Sequence, residues 1–417
     1  MWKAVTLEDW AKNRVSELSS ARPVVEEIIS RVRNGGDRAL LDLTRQFDGV
    51  DVDSLLVGED EREKAFQEVD ERVIASLIEA DARISRFHEL QQPRGLWLEE
   101  VEPGVVLGVK TTPLDRIGAY IPGGRAAYSS TALMCTIPAR VAGVRSICCC
   151  SPPPISPLTL VAMDIAGVDE IYAVGGAQAI AAMALGTESI RPVQKIVGPG
   201  NIYVTMAKML LRDHAEIDFP AGPSEIVVLA DDSARAEFIA ADILAQSEHD
   251  PRAASLLVTT DPGLPARVGT CLESGMKDAK RAVILEKAME NAGYLVAASM
   301  EEAVEIVNHA AAEHLSLQVA DPMGVLHGIR CAGAVFLGNY AAVACGDYAS
   351  GTNHVLPTAG YAQVHSGLDV QHFCRRSTVQ LITREGLEGM GDTVETIAEA
   401  EGLVAHARSV RIRRELH

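Results

Sequence analysis

The stretch Ile117-Gly118-Ala119-Tyr120-Ile121-Pro122-Gly123-Gly124 decides the fold of this 417-residue chain. Its first five residues suit a strand, its Pro-Gly-Gly ending suits a tight turn, and a helical pattern follows over about 130–142. The same unit then recurs. A strand over 146–150 runs into Pro152-Pro153-Pro154 and a helix at about 157–167. A strand over 170–174 runs into Gly175-Gly176 and a helix over 177–185. A strand over 195–197 runs into Gly198-Pro199-Gly200-Asn201 and a helix from 202 to about 211. Four βα units in a row predict a doubly wound parallel sheet. Their Gly- and Pro-rich turns then share one edge, where ligands bind in this class.

Working outward, a second alternating half follows. Strands are predicted over 225–230, 254–259, 294–298, 315–319 and 334–337, with helices between them that include 301–312. Upstream, the chain reads helical to about 93, with Gly35-Gly36 separating helices over 22–33 and 37–47 and a charged helix over 68–89. A strand pair over 97–102 and 105–109 turns at Pro103-Gly104. Downstream, 338–368 reads as a long Gly-, Ala- and His-rich loop, a length that is usually functional. A strand over 377–383 and one amphipathic helix over 393–410 end the chain. The expected architecture is α/β, with two open doubly wound Rossmann-like halves. The helical region 1–115 is expected to pack with 225–368 as one α/β domain, with 116–224 as a second, cofactor-side domain. The tail 369–417 is expected to pack on a partner subunit.

Composition narrows the function. Hydrophobic residues make up 47% and aromatic ones 4%, so the core is aliphatic, as buried parallel strands require. The formal net charge of -19 argues against an extended nucleic-acid footprint, because phosphate binding needs a basic surface. The N-terminus has no apolar core of signal-peptide length, and no apolar run is long enough to span a bilayer. The eight cysteines form no CxxC pair, and Cys148-Cys149-Cys150 sits in an apolar strand pattern. That predicts buried, reduced thiols and a cytoplasmic protein.

Four places concentrate ligand-type residues. A helix is expected to begin near the capping cluster Asp231-Asp232-Ser233 and to close with Ala245-Gln246-Ser247-Glu248-His249-Asp250. Phe238, Ile239, Ala240, Ala241, Ile243 and Leu244 predict that it is buried, and Asp242, Gln246 and His249 share one stripe of it. Buried polar groups need partners, and a metal would be one. Taken alone, the stripe is better explained by a satisfied core histidine or a helix C-terminal cap. Glu313-His314 follows, at a boundary between helix and strand. A Glu beside a His offers two proton-transfer groups, and a C-terminal helix cap is the plain alternative. The third is Gly346-Asp347-Tyr348-Ala349-Ser350-Gly351-Thr352-Asn353-His354, and the fourth is Glu401-Gly402-Leu403-Val404-Ala405-His406. A catalytic zinc takes N and O ligands with one position open, but no HExxH is present and spacing alone does not identify a site. Gly198-Pro199-Gly200-Asn201 before a helix presents N–H groups to an anion, although simple tight-turn duty would explain it too. Tyr120 and Gln178 sit at strand ends that face the same crevice.

Together with Ala221-Gly222-Pro223-Ser224-Glu225 and Ala312-Glu313-His314-Leu315, and with the run continuing through Val355-Leu356-Pro357-Thr358, these segments resemble the histidinol dehydrogenase family. The likeness runs from about residue 5 to about residue 410. It implies a homodimer with intertwined tails, one Zn2+ per subunit, and NAD. It implies oxidation of L-histidinol through the aldehyde to L-histidine with two NAD and one water, the last step of histidine biosynthesis. By motif position it implies Gln246, His249, Asp347 and His406 as zinc ligands and Glu313 and His314 as the acid/base pair. Tyr120, Gln178 and Asn201 take cofactor positions. Ser224, Glu401 and His354 take substrate positions beside the metal ligands and His314, with Glu401 and His406 given by the partner subunit. Two features depart from the family pattern: Asn339 stands where Pro is expected, and Ala341-Ala342-Val343-Ala344-Cys345 is an unusual lead into Gly346. The competing readings are a relative acting on another polyol such as a sulfonated diol, a zinc hydrolase using Glu313 as base, and a non-catalytic binding protein.

Overall fold

The computed structural model describes residues 2–12, 14, 18–123, 128–220, 222–277 and 279–416. Gly124 and Ala221 of the motifs quoted above lie outside the described residues. A short helix α1 (Leu7–Lys12) buries Trp10, and the long helix α2 (Leu18–Asp48) follows. The expected break at Gly35-Gly36 is a kink within α2, where Gly36 takes φ 50° and ψ -138°. Helices α3 (Glu59–Glu68) and α4 (Glu71–Glu89) come next, and the Asp70 side chain caps α4 by accepting from the Arg72 N–H. The expected hairpin is strands β1 (Leu96–Glu102) and β2 (Val105–Pro113), paired antiparallel.

The first half contains β3 (Arg116–Tyr120), α5 (Ser129–Ala142), β4 (Ser146–Ser151), α6 (Pro157–Ile165), β5 (Glu170–Ala173), α7 (Gly176–Leu185), β6 (Lys195–Val197), α8 (Ile202–Leu210) and β7 (Glu216–Ile217). The second contains β8 (Glu225–Ala230), α9 (Ala236–Ser247), β9 (Ala254–Thr259), α10 (Leu264–Lys277), α11 (Ala282–Ala288), β10 (Ala292–Val296), α12 (Met300–Ala310), β11 (His314–Gln318), α13 (Pro322–Leu326), β12 (Ala334–Leu337) and α14 (Val343–Tyr348). Strand β13 (Cys374–Ile382) and helices α15 (Arg384–Ala400) and α16 (Val404–Glu415) form the tail. The two large sheets run β5-β4-β3-β6-β7 and β10-β9-β8-β11-β12, with every pairing parallel. Each places its first strand in the centre and its last at an edge, so the halves share one topology. All six residues of β8 and all six of β9 are buried, mostly aliphatic, as helices on both faces demand. Each fully buried Leu or Ile contributes roughly 1.5–3 kcal/mol over leaving it in water.

Several expectations are corrected. The N-terminal region does not pack as a whole with 225–368. Helix α2 lies on α7 and α8, α3 on α6 and α4 on α5, all in the first half. The reason is apolar matching: Val25, Ile28, Leu40 and Leu43 of α2 join the core of Ile180 and Met183, whereas the short α1 brings Trp10 and the partly buried Leu7 to the core of Val227 and Leu256. The cluster Asp231-Asp232-Ser233 does not cap α9, which starts at Ala236. Asp231 instead accepts from the Ser233 N–H at 2.9 Å and the Ala320 N–H at 2.8 Å, tying the turn after β8 to the end of β11. The tail is two helices, not one. Gly402 takes φ 76°, and its N–H and that of Leu403 close on the carbonyls of Glu399 and Ala398. That is the double bond pattern of a left-handed helix stop. Arg411 and Arg414 of α16 then pair with Glu395 of α15 at 2.8 and 2.9 Å. The 338–368 loop contains α14, formed by the unusual residues before Gly346, and Val343 anchors it in the core of the second half.

The cysteines follow the sequence reading in part. All eight are free thiols; Cys135, Cys148, Cys149 and Cys150 are buried, and Cys345 is exposed. Among the described residues no helix is long and apolar enough to cross a membrane.

Candidate active site

A cavity of about 940 Å³ is lined by residues of both halves. The first sheet supplies the carboxyl ends of its strands: Pro122 and Gly123 after β3, Pro152 after β4, Gly176 to Gln178 after β5, Pro199 to Asn201 after β6. The second sheet supplies its opposite edge. Ser224 stands just before β8, His249, Asp250 and Arg252 just before β9, and Glu313 and His314 where β11 begins. The carboxyl-edge rule therefore holds for one half only. The two edges face each other, and the cavity lies between them.

Glu313 and His314 enter the cavity wall through a backbone turn. Helix α12 ends at Ala310, and Ala311 takes φ 45°, which swings the chain from helix to strand in three residues. The Glu313 N–H donates to Glu225 Oε1 at 3.1 Å, and the Glu225 N–H donates to Glu313 Oε2 at 2.8 Å. His314 Nδ1 lies 3.2 Å from the Glu225 carbonyl oxygen, and Nε2 is buried without a hydrogen-bond partner. Nδ1 therefore donates, and the lone pair of the neutral ring sits on Nε2. Asp347 Oδ1 is 3.8 Å from that Nε2. Burial lowers the His314 pKa, but the carboxylates of Glu313 and Asp347 outweigh it and raise it to about 9. The Glu225 carboxyl is raised to about 7 by burial, which the Arg14 guanidinium opposes and Glu313 reinforces.

Gln246, His249 and Asp347, an amide, an imidazole and a carboxylate of one chain, all line this cavity. Asp242, on the same helix, turns away to structural partners. It accepts from Gln318 Nε2 at 3.1 Å and the Val343 N–H at 3.4 Å, and burial raises its pKa to about 6. So the polar stripe on α9 splits between the fold and the cavity. His354 lines the cavity while its Nδ1 bonds the Asp347 carbonyl at 3.0 Å. A side cavity of about 60 Å³ shares Ser224, Glu313 and His354 with the main one, ample room for a water beside Glu313.

On the other wall, Tyr120 and Gln178 are both buried, and the Tyr120 hydroxyl accepts from the Gly176 N–H at 3.1 Å. Asn201 is the N-cap of α8, its Oδ1 accepting from Tyr203 and Val204 at 3.0 and 3.1 Å. The cradle of free N–H groups expected here is thus partly closed by its own cap. The turn before it is held at both ends. Asp218 accepts from the Gly198 N–H at 2.8 Å, and Lys208 donates to the Gly198 carbonyl at 3.0 Å and pairs with Asp218. Gly198 takes φ 109°, and a Cβ there would sit 2.2 Å from the Tyr120 carbonyl oxygen, so only glycine fits.

The histidinol dehydrogenase family model matches residues 11–414. The chain belongs to the histidinol dehydrogenase family. The histidinol dehydrogenase of Methanothermobacter thermautotrophicus is 52% identical over 394 residues, covering 93% of this chain and 92% of that one. That of Methanosarcina barkeri is 49% identical over 405 residues, covering 96% and 94%. The crystal structure of histidinol dehydrogenase from Elizabethkingia anophelis superimposes with a TM-score of 0.94 at 36% identity, covering 99% of this chain and 97% of that one. The family's members are oxidoreductases that catalyse the last step of histidine biosynthesis.

Ten of the twelve residues named from sequence line this one cavity: Tyr120, Gln178, Asn201, Ser224, Gln246, His249, Glu313, His314, Asp347 and His354. Glu401 and His406 do not; they are exposed at the α15–α16 hairpin. Among the described residues no three His, Cys, Asp or Glu side chains of the single chain are grouped to hold a metal. Sequence reasoning missed Arg14, Lys208, Asp218 and the role of Glu225. Arg14, Lys208 and Asp218 lie in ordinary apolar or charged contexts with no motif of their own, Glu225 closes a quoted motif without a role assigned to it, and only the long-range pairing reveals them.

Proposed function

We propose that this chain oxidises L-histidinol through L-histidinal to L-histidine, as a cytoplasmic zinc- and NAD-dependent homodimer. The observation that carries this reading is the single cavity that joins the Glu313–His314 pair and the Gln246, His249 and Asp347 donors to the Tyr120, Gln178 and Asn201 wall. The donor set suits zinc: an amide oxygen, an imidazole nitrogen and a carboxylate, with His406 of the partner subunit as fourth ligand. The surplus of carboxylate that lifts His314 to about 9 is charge that a cation would offset. A zinc ion held by these residues would supply Lewis-acid anchorage for a substrate rich in nitrogen donors, and NAD would supply the hydride acceptor for each of the two oxidations.

The chain's own residues then have defined tasks. His314 Nε2 takes the hydroxyl proton in the first oxidation, because Nδ1 is committed to the Glu225 carbonyl. Glu313 takes a proton from the water that adds to the aldehyde, and the side cavity beside it has room for that water. Ser224 and His354 wall the substrate end, while Gln178, Tyr120 and Asn201 wall the dinucleotide end. Glu401 and His406 reach the site from the other subunit. In support, the α15–α16 hairpin exposes Ile397, Leu403, Val404 and Ile412, and every residue of β1 is exposed, including Trp97. The cytoplasmic assignment rests on the free, buried thiols.

NADH production from L-histidinol tests the reading, with and without a chelator. The expected result is two NADH per histidine formed and loss of turnover on chelation. Turnover of a sulfonated diol in preference to histidinol would assign a different substrate, and hydrolysis without any dinucleotide would make the chain a zinc hydrolase. Glu313→Ala should slow oxidation of histidinal more than that of histidinol, and equal loss of both would remove Glu313 from its assigned step.

A further inference from the structure

Neither Arg14 nor Glu225 lines the cavity, yet the two lie directly behind its proton-transfer pair. Arg14 is 7% exposed and Glu225 1%. Glu225 Oε1 receives both Arg14 Nη1 at 3.1 Å and the Glu313 N–H at 3.1 Å. The Glu225 N–H returns a bond to Glu313 Oε2 at 2.8 Å, and the Glu225 carbonyl oxygen receives His314 Nδ1. One residue thus holds the Glu313 backbone, the Glu313 carboxylate and the His314 ring. Arg14 in turn donates to the Ala310 carbonyl at 2.9 Å and stacks on Trp10, 4.2 Å from the ring centroid. That ties down the end of α12, from which Glu313 hangs.

We propose that Arg14 and Glu225 are positioning residues, a buried clamp that fixes Glu313 and His314 for proton transfer without touching substrate. The inference rests on the reading of Glu313 and His314 as the acid/base pair. Two carboxylates that each accept the other's backbone N–H repel one another in a buried space, and the Arg14 guanidinium, 3.1 Å from Glu225 Oε1, opposes that repulsion. A buried ion pair is a weak way to stabilise a fold, since a well-packed apolar pair does as well. The clamp accounts for its presence here: it holds a reacting carboxylate to within the tolerance that proton transfer demands.

The test uses the metal-loaded, full-length protein and its Glu225→Ala and Glu225→Gln variants. The gain of NADH is followed separately from histidinol and from histidinal. Glu225→Ala is expected to lower histidinal turnover by about 10²-fold, the effect of a misplacement near 1 Å, with KM for histidinol unchanged. Glu225→Gln keeps an oxygen acceptor for the Glu313 N–H and should recover most of that loss. Wild-type turnover in Glu225→Ala, or a fall in both half-reactions that tracks only the folded fraction, would overturn the clamp. A crystal structure of Glu225→Ala separates this failure from that of the proposed function. Displacement of the Glu313 carboxylate supports the clamp even for an enzyme inert toward histidinol, and an unmoved Glu313 refutes it. Should Glu225→Ala not fold, the same comparison is made between Glu225→Gln and Arg14→Met.

Discussion

His314 Nδ1 lies 3.2 Å from the carbonyl oxygen of Glu225, and that one bond sets the tautomer of the ring. The proton sits on Nδ1, so the basic nitrogen is Nε2, buried and unpartnered. Replacing His314 with Gln should cut oxidation of histidinol by about 10²- to 10⁴-fold, the usual contribution of a positioned base. Metal content, measured on the purified variant, should stay at the wild-type level. Loss of the metal together with activity would make His314 a ligand instead.

The pH response of the metal-free protein follows from the same ring. Its pKa in the fold, about 9, lies above the ordinary value of 6.5, so folding favours the protonated form. The stability it contributes is fully present below about 6.5 and fades as pH rises through about 9. Melting temperature in chelator should therefore fall across that window. Zinc, by neutralising Asp347, should lower the His314 pKa, and imidazole NMR titration with and without metal reads this directly. An identical titration in both states would count against Asp347 as a ligand.

Lys208 and Asp218 are 4% and 1% exposed and clamp both polar groups of Gly198. Lys208→Met leaves Asp218 as an uncompensated buried charge, which costs about 3–5 kcal/mol of stability. Below the melting range the loosened turn should raise KM for NAD while leaving KM for histidinol unchanged. Steady-state kinetics in both substrates decides, and an equal rise in both would assign the pair to folding alone.

His406 and Glu401 lie outside the cavity of their own chain, which leads to a mixing experiment. His406→Ala and His249→Ala homodimers should each be inactive. Mixed dimers carry one site with both lesions and one with none, and random exchange of equal amounts makes about half of the dimers mixed, so about a quarter of wild-type activity should return for a shared site. No recovery, with exchange verified by mass, would mean that each chain completes its own site.

Much of the fold was legible because parallel strands carry a simple signal. The largely apolar runs of β4, β8 and β9 are bounded by turn residues, Pro152, Asp231-Asp232 and Pro262-Gly263, and the sequence places their bounds to within a residue. The strand β7, only Glu216–Ile217, was missed because two residues carry no period. The sequence reading of one tail helix fails because the apolar stripe across 393–410 runs over Gly402, the glycine that supplies the stop signal.

What the sequence determined by itself is the two-fold βα rhythm, the aliphatic core and the identity of the motif residues, since periodicity and composition act locally. The tertiary structure alone decided which side chains meet. It set the carboxyl edge of one sheet against the amino edge of the other, sent α2, α3 and α4 to the first half, and placed Arg14 behind Glu313 across some three hundred residues of chain. Those pairings depend on the packing of whole faces against each other, and no window of sequence contains both partners.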